Sequence, residues 1–253
     1  MGGLGNQMFQ YAFGQLQKQN GIEVSYDRSW FDNIPLNNTP RTYHLDKLYI
    51  DDIVFSTFLK QSTYHEFKFD ISALSLVNHN FVGYWQYVDI YLPIVSQLQE
   101  KFRVIEDYHT EKYYNLCKRI TSEESIAIHV RRGDYLTTPG FATVPLKYYF
   151  EAIGKVSGNL FIFSDDISWC KSVFKQIYFS NKVTFVDIEE YLALDLMSLC
   201  NHTIIANSSF SSWAGFLNPH VDKIVIYPDK WTPTETERSL EKKSHMPKNW
   251  IRL

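Results

Sequence analysis

Two arginines, Arg131 and Arg132, follow directly on the apolar run SIAIHV at residues 125–130, in the string His129-Val130-Arg131-Arg132-Gly133-Asp134. A guanidinium keeps its proton at any physiological pH and presents a planar fork of N–H donors that matches phosphate oxygens. Gly133 lets the chain turn sharply after the pair. Asp134 suits either of two jobs, orienting an arginine through a carboxylate pair or acting as a weak general base. An isolated Arg-Arg pair at a strand end is often only a surface ion pair. The whole string after an apolar run points instead to anion binding. His129 fits a buried core histidine or a place on the phosphate side, and its neighbours favour the second.

The segment Asn207-Ser208-Ser209-Phe210-Ser211-Ser212 leads from another apolar run into a helical stretch. Asn and Ser cap helices, and the free N–H groups at a helix start attract anions. Alone, the segment is a plain cap as readily as a phosphate site; on the same sheet edge as two arginines it gains the second meaning. Asp165 and Asp166 follow the run at residues 160–163. A carboxylate there caps a helix beginning at Ile167, or accepts from ribose hydroxyls and a base's N–H groups, and nucleoside recognition by one of the two is the expectation. No D-x-D string or His pair completes a metal set, so no metal is expected. The opening Gly2-Gly3-Leu4-Gly5-Asn6-Gln7 lacks both the Lys-Ser/Thr of a P-loop and the G-x-G-x-x-G spacing, which removes ATPase and dinucleotide readings. Tyr84-Trp85-Gln86-Tyr87 offers rings for stacking on a sugar or for core packing.

These residues need elements to hold them. From about residue 118 to 230, apolar runs at 125–130, 160–163, 183–186, 203–206 and 223–227 read as buried strands. Helical stretches at 145–156, 167–176, 189–200 and 210–217 alternate with them. Such alternation implies a doubly wound parallel sheet, with ligands outside the carboxyl ends of its strands. The candidate residues all sit at those ends. The first half is less regular, with a loose stretch at 32–41. It shows two clear helices, at 6–20 and at 90–102, the latter with Pro93 in its first turn. A polar helical segment at 106–119 is placed to bridge two domains, expected at 1–115 and 116–253.

Length and composition set bounds. A chain of 253 residues is one large domain or two small ones. With 25 Lys and Arg against 28 Asp and Glu, the net charge of −3 argues against general nucleic-acid or anionic-membrane binding. Any anion must therefore be met by a local cluster of cations. Cys117, Cys170 and Cys200 form no CxxC pair and read as reduced thiols. No apolar run spans 18 residues, so no transmembrane segment is expected. The expected location is cytoplasmic, with peripheral contact at the inner membrane left open.

Taken together, the strings resemble glycosyltransferase family 11, which contains α-1,2-fucosyltransferases. They are GGLGNQMFQYAFG at 2–14, GYWQ at 83–86, HVRRGDY at 129–135, FSDD at 163–166, IIANSSFSSWAGFLN at 204–218 and PKNWI at 247–251. The resemblance runs through nearly the whole chain in order. It implies a GT-B-like α/β fold, two Rossmann-like halves facing across a cleft, with the first half on the acceptor side. Relatives carry a strand ahead of GGLGNQ, so that first strand is expected to be missing from the first half. The implied reaction is inverting, metal-independent transfer of fucose from GDP-fucose to the 2-hydroxyl of a galactose-containing glycan. Arg131 would hold the β-phosphate, with Arg132 and His129 in support. Ser208, Ser209 and Phe210, flanked by Asn207 and Ser211, would bind phosphate. Asp165 or Asp166 would read guanine or ribose, and Gly5 and Asn6 would line the cleft near the reacting centre. Relatives read close to SWWGAWLN where this chain has Ser211-Ser212-Trp213-Ala214-Gly215-Phe216-Leu217-Asn218, and the small Ser212 is expected to loosen that region. Two alternatives stand beside this: a related transferase with another donor or acceptor, and a non-catalytic protein that binds nucleotide-sugars or glycans.

Overall fold

A computed structural model describes residues 1–36, 39–57, 62–68, 70–175, 182–234 and 236–253. Gln176, the expected end of one helix, and part of the 32–41 stretch lie outside the described residues. The chain is an α/β protein with parallel sheets.

The second half is built on six parallel strands: β3 (Ser125–Val130), β4 (Asn159–Ser164), β5 (Val183–Val186), β6 (His202–Ile204), β7 (Val225–Tyr227) and β8 (Ile251–Arg252), in the order β5-β4-β3-β6-β7-β8. Five of the six match the expected runs to within a few residues. The two-residue β8 is too short to show in the sequence. Helices cover both faces, and the two-residue period of a strand decides which side chain goes where. Ile126, Ile128, Val130, Leu160, Ile162, Ile204 and Ile226 face α4 (Leu146–Ile153) and α5 (Ile167–Phe174). Ala127, Phe161, Phe163, Ile205, Val225 and Tyr227 face the other way. There they meet α3 (Glu111–Ser122), α6 (Glu190–Leu199) and α7 (Ser209–Leu217).

The first half holds α1 (Leu4–Gln19), α2 (Val95–Lys101) and two short parallel strands, β1 (Ser62–His65) and β2 (His79–Val82). Two expectations need correction. The helix expected over 90–102 is a 3-10 turn over Val88–Ile94 followed by α2, because Pro93 has no N–H and drives its predecessor away from α geometry. The polar helix expected over 106–119 is a 3-10 turn at Glu106–Tyr108 and then α3. The Thr110 hydroxyl caps α3, accepting from Tyr113 N at 3.1 Å. A last helix, α8 (Glu237–Ser244), lies between β7 and β8.

One apolar cluster joins the halves. Its hub is Trp213 of α7, buried against Phe9, Phe102 and Tyr91 at ring separations of 4.5, 5.1 and 5.9 Å. The Trp213 indole donates to the Gly5 carbonyl at 2.9 Å. Burying the ring without that bond would cost about 1–3 kcal/mol. The contact thus fixes the start of α1 against α7. No helix among the described residues is long and apolar enough to cross a membrane.

Candidate functional site

The chain winds outward from β3 through β4 to β5, then restarts at β6 beside β3 and winds the other way to β8. A reversal of this kind opens a crevice at the carboxyl ends of the two central strands. Here those ends deliver Arg131 and Arg132 from β3, and Asn207, Ser208 and Ser209 from β6. The expected sheet edge therefore does bring the arginines and the serine-rich helix start together.

Both guanidiniums are braced by carboxylates. Arg131 reaches Asp134 through Nη2 and Asp165 through Nη1, the latter at 2.8 Å. Arg132 Nε pairs with Asp166 at 3.1 Å, and its guanidinium lies 3.7 Å above the Trp169 ring. Asp165 also accepts from Arg132 N at 2.8 Å, and Asp166 caps α5 by accepting from Trp169 N at 3.1 Å. The two carboxylates thus shape the arginine turn. A Cβ on Gly133 would stand 2.5 Å from Asp165 Oδ2, so that carboxylate depends on a glycine to close on the turn. Bracing leaves Arg131 Nε buried without a partner. A buried donor in that state is costly, and a ligand oxygen would relieve it.

Asp134 takes Arg131 on one oxygen and Arg41 Nη2 on the other, at 2.5 Å. With both oxygens held by guanidiniums it has the geometry of an arginine orienter. No local sequence signal marks Arg41, which lies in an irregular stretch 93 residues away. Gln7 ties that stretch to α1, donating to Thr42 O at 2.8 Å and accepting from His44 N at 2.9 Å.

Across the crevice, α7 follows Ser208, whose backbone is extended and whose side chain makes no cap bond. The first N–H groups of such a helix have no intrahelical partner and carry its positive dipole end. The start of α1, capped by Gly3 without a side-chain bond, meets it there. A β-carbon on Gly5 would stand 2.5 Å from Phe210 N and 2.7 Å from Phe210 Cα, so only glycine lets the two helix starts touch. Asn6 accepts from Ser209 Oγ at 2.8 Å and from Gln86 Nε2 at 2.5 Å.

The remaining expected residues serve the frame. Asn207 is buried and donates to Ala142 O and Trp231 O, both at 2.9 Å, leaving its Oδ1 unpartnered. The Ser211 hydroxyl turns back to the carbonyls of Ala206 and Ser208, each at 3.3 Å. Ser212 is likewise buried and bonds Ser208 O at 3.1 Å, so its small side chain is spent on the helix start. His129 is buried beside Phe210, with ring centroids 5.3 Å apart and Nδ1 unpartnered. Burial, then the Arg131 charge, pushes its pKa down to about 3, so the ring is neutral at pH 7. Trp85 and Tyr87 are core residues, and the polar member of GYWQ, Gln86, is the one that reaches the site.

A cavity of about 1390 Å³ lies elsewhere, lined by Gln10, Gly14, Gln17 and Lys18 of α1 together with Tyr26 and Phe81. Neither Arg131 nor Arg132 is among the described residues that line it. Among the described residues no group of three His, Cys, Asp or Glu side chains is gathered to hold a metal ion.

Comparison with known proteins agrees with the motifs that built this crevice. An Escherichia coli protein named alpha-1,2-colitosyltransferase is 30% identical, covering 100% of this chain and 96% of its own. The O-antigen biosynthesis glycosyltransferase WbnK of Escherichia coli is 28% identical, covering 100% and 98%. A solved structure of POFUT1 in complex with GDP-fucose superposes with a TM-score of only 0.34 at 13% identity, over 61% of this chain and 55% of that one, too slight a likeness to bear on the site. The model of glycosyl transferase family 11 matches residues 1–253, and the chain belongs to that family.

Proposed function

We propose that this glycosyltransferase moves fucose from GDP-fucose to the 2-hydroxyl of a galactoside, with inversion and without a metal. The observation that carries the reading is Arg131, braced by two carboxylates with its Nε left unpartnered, at the strand crossover from the uncapped start of α7. In the proposed reaction the acceptor oxygen bonds to the anomeric carbon while the bond from that carbon to the β-phosphate oxygen breaks. The electron pair leaves with GDP, and the hydroxyl proton passes to solvent water. Negative charge grows on the diphosphate as the sugar becomes oxocarbenium-like. Donors already aimed at that charge lower the barrier without having to reorganise.

Within this reading, Arg131 and the N–H groups at Ser209 and Phe210 take the β-phosphate, and Arg132 stacks on Trp169 to support it. Asp165 and Asp166 hold the arginines and border the nucleoside. The first half, residues 1–115, supplies the acceptor wall through Gly5 and Asn6, facing the nucleotide half at 116–253 in a GT-B-like arrangement. The protein works in the cytoplasm, at most peripherally at the membrane.

The donor sugar has a second candidate. The relative named alpha-1,2-colitosyltransferase favours colitose, which lacks the 3-hydroxyl of fucose. Incubation with GDP-fucose and lactose, read as GDP release and appearance of a trisaccharide, tests the first reading. A colitosyl donor in parallel tests the second. Binding of both donors with transfer of neither to any galactoside would contradict both in favour of a binding protein.

A further inference from the structure

The GYWQ turn carries a strained residue. Trp85 has φ of 55°, in the left-handed region that bulky side chains avoid. Its surroundings force the conformation. The indole is buried and stacked on Phe13, with centroids 3.9 Å apart and planes 9° from parallel. The Trp85 carbonyl accepts from the Tyr91 hydroxyl at 2.7 Å and from Tyr87 N at 2.9 Å. Strain held this firmly marks a place where the chain must point the next residue in a set direction.

That next residue is Gln86, which donates from Nε2 to Asn6 Oδ1 at 2.5 Å. Ser209 Oγ, from the start of α7, donates to the same oxygen at 2.8 Å. Both donors meet the same oxygen, so the Asn6 amide turns Oδ1 toward Gln86 and Ser209. The Nδ2 group is then the end turned away from both, beside Gly2, and among the described residues it donates no hydrogen bond.

We infer that Gln86 is a positioning residue: held by the strained Trp85 turn, it works with Ser209 to lock Asn6 so that its Nδ2 donates to a substrate oxygen in the crevice. This rests on the transfer reading above and adds to it the residue that sets the Asn6 amide. Gln86 itself touches no reacting atom in this account.

The test is a cycle of Gln86→Leu and Asn6→Ala, singly and together, followed by kcat and KM for GDP-fucose and lactose. Thermal unfolding is measured alongside. Gln86→Leu is expected to lower kcat by roughly ten- to a hundredfold, because loss of a held geometry costs rate on that scale. KM for the donor should change less than about threefold, and on the Asn6→Ala background Gln86→Leu should have no further effect. Gln86→Glu, which keeps the size but carries no N–H to offer, should be as damaging as Gln86→Leu, and serves in its place if the leucine variant does not fold. If the wild type transfers sugar while these variants match it, or if the losses multiply in the double variant, the positioning role is overturned and the transfer reading stands. A wild type that binds no GDP-sugar overturns both.

Discussion

The two halves meet at one crevice but contribute to it in different ways. The second half sends its charges from strand ends: Arg131 and Arg132 after β3, Asp165 and Asp166 after β4. Each arginine pairs with a carboxylate that follows the adjacent parallel strand, so the sheet register sets the spacing of the cluster. The first half sends mostly neutral groups, Gly5, Asn6 and Gln86, and one cation, Arg41, from a helix start and irregular turns. There, geometry is set by side-chain bonds over long sequence distances. The lesson is a division of labour, in which the regular half gathers charge and the irregular half aims it.

Removing Arg131 should break the charge-gathering half most severely. Arg131→Ala is expected to lower turnover by about a hundred- to a thousandfold, roughly 3–4 kcal/mol of transition-state stabilisation, as for other preorganised oxyanion donors. GDP release in a steady-state assay reads this directly, and near-normal turnover would remove the arginine from the chemistry. Next comes the seam between the halves. Gly5→Ala places a methyl 2.5 Å from the Phe210 backbone nitrogen. The overpacking should cost about 2–3 kcal/mol, and calorimetry should show Tm lowered by several degrees.

Acid should then probe the frame around the site. His129 is held neutral, its pKa pushed to about 3 from an ordinary value near 6.5 by burial and then by Arg131. The unfolded chain therefore binds the extra proton first, so stability from this group is complete above about pH 6.5 and drains away as pH falls toward 3. By pH 5 the loss should be about 2 kcal/mol. Denaturant titrations of wild type and His129→Gln between pH 7 and pH 5 should diverge by that amount, with the variant the flatter. Parallel curves would mean the ring is protonated or exposed.

Arg41 sharpens the comparison at the smaller end. If the irregular half aims the arginines, Arg41→Ala should lower kcat by about tenfold while GDP affinity changes little. The Arg41–Asp134 coupling in a double-mutant cycle should exceed about 0.5 kcal/mol. A variant that loses GDP affinity and keeps kcat would make Arg41 a simple binding cation. The smallest expected effect is none: under the proposed mechanism, activity persists in excess EDTA, and abolition restored by a divalent cation would overturn that part of it.

The sequence made the charge-gathering half visible for a physical reason. Strands buried on both faces read as unbroken apolar runs, and the residue after each run is the residue at the crevice. Arg131, Arg132, Asp165, Asp166 and the start of α7 were therefore legible. So was the capping job of Asp166, whose carboxylate stands directly before the helical stretch that begins at Ile167. The aiming half was not legible. Arg41 and Gln86 act on partners 93 and 80 residues away, and no local period records such a contact. In GYWQ the rings suited sugar stacking or core packing equally, and packing buried Trp85 and Tyr87 and left the amide to do the reaching. Pro93, read as a first-turn residue of a helix over 90–102, instead closes a 3-10 turn ahead of α2.

The most direct test of the central claim is a crystal structure of the protein with GDP at saturating concentration. The account predicts the diphosphate at the crossover between β3 and β6, with a β-phosphate oxygen within hydrogen-bond distance of Arg131 and of the N–H groups at Ser209 or Phe210. GDP bound anywhere else, or no nucleotide density at all, would contradict it.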